Sequence, residues 1–384
     1  MFYLAGIILT FFLAVLLFTK TGKSEADLIL AVWLTAIGVH LCFFYLTFSD
    51  QFLSFPFLLG FNFPLPLLHG PFLFLYTSAL TNQQIPAKYK AAHFIPFVLL
   101  YGLFLPFILL PEERKIQVFK NEGLGYEVEM LVMISSIMIS GVIYVGLSLW
   151  RLNEHKKTIQ DQFSSAEKIN LAWLRYLIYG IGLIWLFVLF AEYVMIFNTV
   201  VVFVFFLGYF GIKQVGIFSQ GYPTPDSFLP ATALAASATS STGEPVSGQS
   251  NKPAAPKYQR SGLSDEAAAK LHSSLGEIME KEKLYTNLEL TLTELAKALD
   301  VHPHYLSQAI NTFEGKTFYD YVNTLRVEEF KRLVALPESK KYTLLALALD
   351  CGFNSKTSFN RNFKSVTGLA PSEYLKQTTT YLHT

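Results

Sequence analysis

A polar, basic stretch near the C-terminus carries the side chains best suited to contact another molecule. It reads CGFNSKTSFNRNFKSVTG and covers residues 351–368. At helical spacing, Phe359 and Phe363 share one face, which leaves five hydrogen-bond donors on the opposite face: Lys356, Thr357, Asn360, Arg361 and Lys364. Amines, amides and guanidinium groups are suited to phosphates and to the edges of DNA bases. The stretch is therefore interpreted as a DNA-facing helix.

The residues before this face predict how it is positioned. Thr343 is a helix cap in front of an apolar run, and Ser355 is a cap for the next helix. Between them Gly352 permits a tight turn. A helix, a turn and a second helix form a helix-turn-helix, whose second helix can enter the major groove.

The same design occurs earlier in the chain, in LTLTELAKALDVHPHYLSQAIN at residues 290–311. Thr291 and Glu294 have the spacing of a capping box, which predicts a helix start. Pro303 begins the second helix, since a missing N–H costs least there, and Leu306 and Ile310 mark its inner face. The chain therefore contains two helix-turn-helix units.

Residues 317–336 connect the two units and read TFYDYVNTLRVEEFKRLVAL. Thr317 is the predicted cap of one long helix with an apolar face. At 1.5 Å per residue such a helix is about 30 Å long. It could hold two recognition helices about one turn of duplex apart, roughly 34 Å.

The region from about 286 to 376 resembles the DNA-binding domain of AraC/XylS-type transcription regulators. The resemblance rests on LTELAKAL, HYLSQAIN, FYDYVNTLRVEEFKRLV, CGFNSKTSFNRNFK and TGLAPSEYL. It implies sequence-specific binding of double-stranded DNA, with RNA polymerase and a second copy of the chain as further partners. The implied base-reading residues are His304, Ser307 and Gln308 in the first unit and Lys356, Thr357 and Arg361 in the second.

Two departures from the family pattern fall in the first unit. Asp300 stands where a Gly is common in the turn, a conformation that Asp adopts at some cost. Gln308 replaces a frequent Arg, which weakens the expected guanine or phosphate contact. By contrast, residues 339–376 hold six basic and two acidic residues, so the second unit is predicted to be the stronger electrostatic contact.

The rest of the chain has a different composition. The sequence is 52% hydrophobic with a mean hydropathy of +0.37, and charged residues are sparse through residue 218. Because a bilayer needs about 20 apolar residues per helix, seven membrane spans are predicted near residues 2–19, 27–48, 63–81, 92–110, 129–150, 174–197 and 199–218. The prolines around the third span predict a kinked or re-entrant element.

The basic residues in the short loops predict orientation. Nine lie in one set of loops and three in the other. The first set is predicted to be cytoplasmic, which puts the N-terminus outside and the polar C-terminal part in the cytoplasm. The expected location is therefore the inner membrane of the cell, as a multi-pass protein.

The predicted fold class is all-α. We expect a seven-helix transmembrane domain at 1–220, a disordered Pro-, Ala- and Ser-rich linker at 221–257, an amphipathic helix at 258–283 and a double helix-turn-helix domain at 284–384. The amphipathic helix packs on the first helix-turn-helix or forms a dimer contact. A flexible linker would tether the domain without holding it in place.

Few residues suggest other chemistry. His302 and His304 make a weak metal pair, and no catalytic motif stands out, so no enzyme, cofactor or metal is expected. Ionisable residues at membrane depth are candidates for a ligand site. His69 and Glu192 are the two proposed for sensing an unknown small-molecule or membrane signal.

The leading hypothesis is a membrane-bound transcription regulator whose seven helices act as a sensor or an anchor. The alternative is a multi-pass transporter or receptor whose helix-turn-helix tail is a protein-interaction module. Gln308 and the near-neutral charge of the whole polar tail support the alternative, and the net charge of +1 points to no partner.

Overall fold

The computed structural model describes residues 2–49, 51–83, 85–165, 171–190, 193–218 and 264–381. The chain divides into an N-terminal unit, residues 1–155 and 171–222, and a C-terminal unit, residues 156–170 and 223–384. Every described element is helical; the one β-type pairing among these residues is an isolated bridge between Phe163 and Thr291. The all-α prediction is confirmed.

The N-terminal unit is a bundle of mostly apolar helices, to which two short polar helices, Ala87–Ala92 and Glu112–Lys120, are added. Its helices are α1 (Phe2–Thr19), α2 (Glu25–Phe48), α3 (Pro66–Leu80), α4 (Ala87–Ala92), α5 (Ile95–Ile108), α6 (Glu112–Lys120), α7 (Glu127–Gln162, whose end belongs to the C-terminal unit), α8 (Ala172–Phe190) and α9 (Tyr193–Phe218). Two short 3₁₀ turns, Gln51–Ser54 and Pro56–Leu58, precede α3. Pro71 lies inside α3, at the proline-rich third span.

Among the described residues, four helical stretches are long and apolar enough to cross a membrane: Glu25–Thr47, Ala87–Ile108, Glu127–Gln162 and Ala172–Phe190. Leu4–Thr19 and Val194–Phe210 are shorter apolar helices. The number of seven spans therefore stays a prediction.

The bundle is held by close helix contacts. A Cβ built on Gly6 of α1 would lie 2.6 Å from Val201 of α9, and one on Gly208 of α9 would lie 2.5 Å from Leu13 of α1. Small residues at such crossings let helix backbones approach closely in a bilayer. Trp33 and Phe197 are fully enclosed in the same core.

The C-terminal unit contains the two predicted helix-turn-helix units. Its helices are α10 (Asp265–Glu282), α11 (Leu292–Ala298), α12 (Pro303–Glu314), α13 (Phe318–Val334), α14 (Leu344–Asp350), α15 (Lys356–Thr367) and α16 (Pro371–Tyr381). Residues 221–257, the predicted linker, lie outside the described residues. The domain boundaries therefore stay predictions.

Two separate hydrophobic cores stabilise this unit. The first joins Leu275 and Met279 of α10 to Leu306 and Ile310 of α12 and to the start of α13. The apolar stripe of α10 is thus packed within the domain. The second core is aromatic, with Phe330 of α13 against Phe353, Phe359 and Phe363. The centroids of Phe330 and Phe359 are 4.5 Å apart.

Candidate nucleic-acid interface

The first candidate recognition helix, α12, is defined by its caps. The His302 Nδ1 accepts a hydrogen bond from the backbone N–H of His304 at 3.1 Å, and Pro303 occupies the first turn. Gly315 ends the helix at φ 63°. His302 therefore acts as a helix cap, and the described residues contain no cluster of three or more His, Cys, Asp or Glu side chains able to hold a metal.

The three residues proposed for base reading on α12 differ in exposure. His304 is exposed, whereas Ser307 and Gln308 are half-buried. The Oε1 atom of Gln308 is enclosed without a hydrogen-bond partner among the described residues. The side-chain amide of Asn311 donates to the Ser307 carbonyl at 2.9 Å. Two of the three residues proposed for base reading on α12 are thus partly enclosed by the domain.

The second candidate helix, α15, presents a different surface. The Ser355 hydroxyl accepts from the backbone N–H of Ser358 at 3.1 Å, as the sequence predicts, and Gly368 ends the helix at φ 78°. Ser358, Phe359, Asn362 and Phe363 are buried. All five predicted contact residues of this helix are exposed: Lys356, Thr357, Asn360, Arg361 and Lys364.

Sequence reasoning missed the residue that supports this face. Tyr319 of α13 is buried, and its hydroxyl accepts hydrogen bonds from Nη2 of Arg361 at 2.7 Å and from Nδ2 of Asn362 at 2.9 Å. Arg361 is therefore oriented by α13 and keeps further guanidinium donors for a ligand. The pattern of α13 gave no signal for this, since Tyr319 falls beside the predicted apolar face.

The turns of the two helix-turn-helix units contain different residues at the left-handed position, as the sequence predicts. Asp300 adopts φ 54°, the left-handed conformation expected where Gly is common. Gly352 adopts φ 96°, and a Cβ there would lie 2.6 Å from the Tyr285 carbonyl oxygen. The second turn is therefore restricted to Gly by strain and by contact, whereas the first is not.

Helix α13 connects the two units and carries a buried guanidinium. Thr317 caps the helix, accepting from the backbone N–H of Asp320 at 3.1 Å. Arg326 is 1% exposed; its Nε donates to the Tyr285 carbonyl at 2.6 Å and its Nη2 to the Asn287 carbonyl at 2.7 Å. Burial lowers the pKa of Arg326 to about 10, so the group stays charged at neutral pH.

An ion-pair network holds the outer side of α13. The Glu329 carboxylate accepts from Arg332 Nε and from Lys283 Nζ, each at 2.8 Å. The hydrogen bond from Arg332, followed by that from Lys283, lowers the pKa of Glu329 to about 2. This network ties the residue after α10 to the connecting helix.

Of the two residues proposed for sensing, only His69 lies among the described residues. Glu192 lies outside the described residues. His69 lies on α3, where its Nδ1 accepts from Trp33 Nε1 at 3.3 Å and its Nε2 is 3.1 Å from His40 Nδ1. Both ring nitrogens of His69 are thus engaged by α2, which leaves its role in sensing a prediction.

Comparison with known proteins identifies the C-terminal region. A family model described as a helix-turn-helix domain matches residues 295–377. Residues 295–377 form a helix-turn-helix domain of the AraC type. This AraC-type domain contains most of α11 and all of α12–α15, and therefore both candidate recognition helices.

Several curated proteins resemble this part of the chain. The uncharacterized HTH-type transcriptional regulator YisR of Bacillus subtilis (strain 168) is 33% identical over 86 residues, which are 22% of this chain and 29% of YisR. YobQ of the same organism, also an uncharacterized HTH-type transcriptional regulator, is 32% identical over 127 residues, 29% of this chain and 52% of YobQ. The transcriptional activator RhrA of Rhizobium meliloti (strain 1021) is 31% identical over 103 residues, 27% of this chain and 32% of RhrA.

The chain thus spans about half or less of the length of these relatives. The likeness applies to the AraC-type domain, and the membrane-like helices of the N-terminal unit lie outside the matched family model.

Proposed function

We propose that this chain is a membrane-embedded transcription regulator that binds promoter DNA through the two units of its AraC-type domain. The observation that carries the proposal is the exposed, basic face of α15, in a domain of a DNA-binding type. Lys356, Thr357 and Arg361 read base edges, and Asn360 and Lys364 supply further donors for base edges and phosphates. His304, Ser307 and Gln308 of α12 contact a second half-site.

The outward faces of the bundle support membrane anchoring. Leu99 of α5, Val142 of α7 and Leu186 of α8 are 68%, 74% and 51% exposed. Apolar surface of this extent is unfavourable in water and is the normal surface of a helix in lipid. The N-terminal unit is therefore proposed to anchor the regulator in the bilayer, and to sense a signal there.

The ionic contacts of the bundle support the proposed orientation. Lys20 contacts Asp27 at the start of α2, at 3.0 Å, and Lys90 contacts Glu25 at the same helix end. Lys20 and Lys90 are two of the nine basic residues whose loops are predicted to be cytoplasmic, and both contact the first turn of α2. With that end in the cytoplasm, we propose that the AraC-type domain lies in the same compartment as DNA and RNA polymerase.

Two experiments test the proposal. A compartment-sensitive reporter fused after Thr384 should report the cytoplasm, and the chain should remain in the membrane fraction after a high-salt wash. A reporter outside the cytoplasm would overturn the proposal.

DNA binding is tested with the full-length chain in lipid nanodiscs and a pool of random-sequence duplexes. Affinity should fall steeply between 50 and 200 mM salt, by about 10³-fold or more if six phosphates are contacted. Binding to protein partners with no DNA retained at low salt would instead favour the interaction-module alternative.

A further inference from the structure

A short segment that follows α7 is built into the AraC-type domain. Residues 156–170 belong to the C-terminal unit although they precede α8 in the sequence. The backbone N–H of Ser164 donates to the Leu290 carbonyl at 3.1 Å, and Phe163 forms an antiparallel bridge with Thr291. The segment Phe163–Ser165, called the strap below, therefore pairs with the chain that leads into α11.

The strap also completes the environment of the buried Arg326. The Ser164 carbonyl accepts from Arg326 Nη1 at 3.2 Å and from Asn323 Nδ2 at 3.0 Å, and the Ser164 hydroxyl accepts from Arg326 Nη2 at 3.2 Å. A buried guanidinium is costly unless its donors are satisfied. Withdrawal of the strap would leave some of these donors without protein acceptors, so the domain favours the docked strap.

The strap reaches the second helix-turn-helix as well. Nδ2 of Asn354 donates to the Ser165 hydroxyl at 2.8 Å, and Asn354 directly precedes Ser355, the cap of α15. Three consecutive residues thus contact the entrance of the first helix-turn-helix, the connecting helix and the turn of the second. Such contacts fix the arrangement of the two recognition helices relative to each other.

Docking of the strap leaves the recognition surface open. Lys356, Thr357, Asn360 and Lys364 are exposed in the structure that contains the docked strap. The strap instead contacts the domain interior, where Asn323 and Arg326 are 2% and 1% exposed. The docked state is therefore compatible with bound DNA.

The strap is covalently connected to a membrane-type helix, which could relate its docking to a signal. Helix α7 ends at Gln162, immediately before the strap, and its earlier part is one of the membrane-type helices. The chain passes between the two units at residues 155/156, 170/171 and 222/223. A change at the end of α7 can thus reach the DNA-binding domain without passing through residues 221–257.

We propose that the strap is an intramolecular docking element that holds the two helix-turn-helix units in their DNA-binding arrangement and couples DNA affinity to α7. The inference rests on the proposed DNA-binding function. It predicts positive coupling: the docked state binds DNA more tightly than the released state, by about fivefold or more.

The test uses a reversible cross-link in the full-length chain in nanodiscs. Cysteines introduced by Ser165→Cys and Asn354→Cys should form a disulfide on mild oxidation, in a Cys42→Ala background. Cys351 is retained because it is fully buried. The control pair, Ser165→Cys with Ser274→Cys on the exposed face of α10, should not cross-link. Failure of the first pair to cross-link would overturn docking.

The effect of strap docking on DNA affinity is measured with the same cross-linked chains. The probe is a labelled duplex selected from random sequence by the unmodified full-length chain. The oxidised form should bind it about fivefold more tightly than the reduced form. Equal or weaker binding by the oxidised form would overturn the coupling. Loss of DNA binding in every form, the unmodified chain included, would overturn the proposed function, while the cross-link would still report docking.

A milder variant provides an independent measurement. Ser165→Ala removes one hydrogen bond of the strap and should weaken DNA binding about threefold. Ser274→Ala is the matched control, at an exposed serine of α10, and should bind like the unmodified chain. Equal affinities for the two variants would count against the proposal.

Discussion

The two recognition helices are built alike and differ in the surface they present. Both α12 and α15 have 12 residues, with an N-cap one residue before and a left-handed Gly directly after. Aligned on these caps, Pro303, Gln308 and Asn311 of α12 correspond to Lys356, Arg361 and Lys364 of α15. The second helix therefore has a cation at three positions where the first has none.

The surrounding charge follows the same division. Residues 291–315 hold one basic and three acidic residues, whereas residues 343–368 hold three basic and one acidic residue. Phosphate attraction is sequence-independent, whereas base contacts provide specificity. We therefore expect α15 to supply most of the electrostatic affinity for DNA, and α12 to depend on base contacts and on the geometry set by its neighbours.

The largest expected effect is at the turn of the second unit. Gly352→Ala places a Cβ 2.6 Å from a backbone oxygen at φ 96°, so it should destabilise the domain by about 3 kcal/mol. Hydrogen exchange of peptides from α14 and α15 in the full-length chain measures the loss. Unchanged protection of those peptides would contradict the close contact.

Removal of a cation from α15 should have the next largest effect. Arg361→Ala should weaken DNA binding by about 2 kcal/mol, roughly 30-fold, and lower the salt slope by about one. The matched change Gln308→Ala should cost less than Arg361→Ala and should leave the salt slope unchanged, because it removes no charge. Titration of a labelled duplex at several salt concentrations measures the affinity and the salt slope of both variants. Equal losses of affinity would contradict the proposed difference between α12 and α15.

Addition of a cation to α12 should make the two helices more alike. Gln308→Arg should tighten DNA binding by about 1 kcal/mol and steepen the salt slope by about one. The same titrations measure this gain. Gln308→Leu, which adds bulk without charge, is the control; a gain from both variants would show that charge is not the cause.

The smallest effect is expected at the turn of the first unit. Asp300→Gly relieves a left-handed conformation at φ 54° and should stabilise the domain by about 0.5 kcal/mol. Asp300→Ala should destabilise it instead. Hydrogen exchange of peptides from α11 and α12 during thermal unfolding measures the stability of the two variants. Stabilisation by both substitutions would exclude backbone strain as the cause.

Much of the AraC-type domain was predictable because its signals are local. The caps Thr291, Thr317 and Ser355, the turn residues Asp300 and Gly352, and the exposed face of α15 follow from side-chain chemistry at fixed spacing. The likeness to a known family added the order of the motifs.

Contacts between distant parts of the chain could not be predicted. Tyr319 supports Arg361 across 42 residues, and Ser164 meets Arg326 across 162 residues. Tyr319 and Ser164 are residue types that are common in helices and loops. Hydrophobic periodicity predicts the buried face of one element, and it does not predict which distant element that face contacts. The contacts of the strap could not be predicted for this reason. From the sequence alone, the domain was expected to be tethered only by its linker.

The most direct test is selection of bound DNA by the full-length chain in nanodiscs from a random-sequence pool, followed by contact mapping on the selected duplex. The proposed function predicts two half-sites about 10 base pairs apart, with stronger phosphate interference at the half-site contacted by α15. Failure to select DNA at low salt, or one half-site with no second contact, would contradict it.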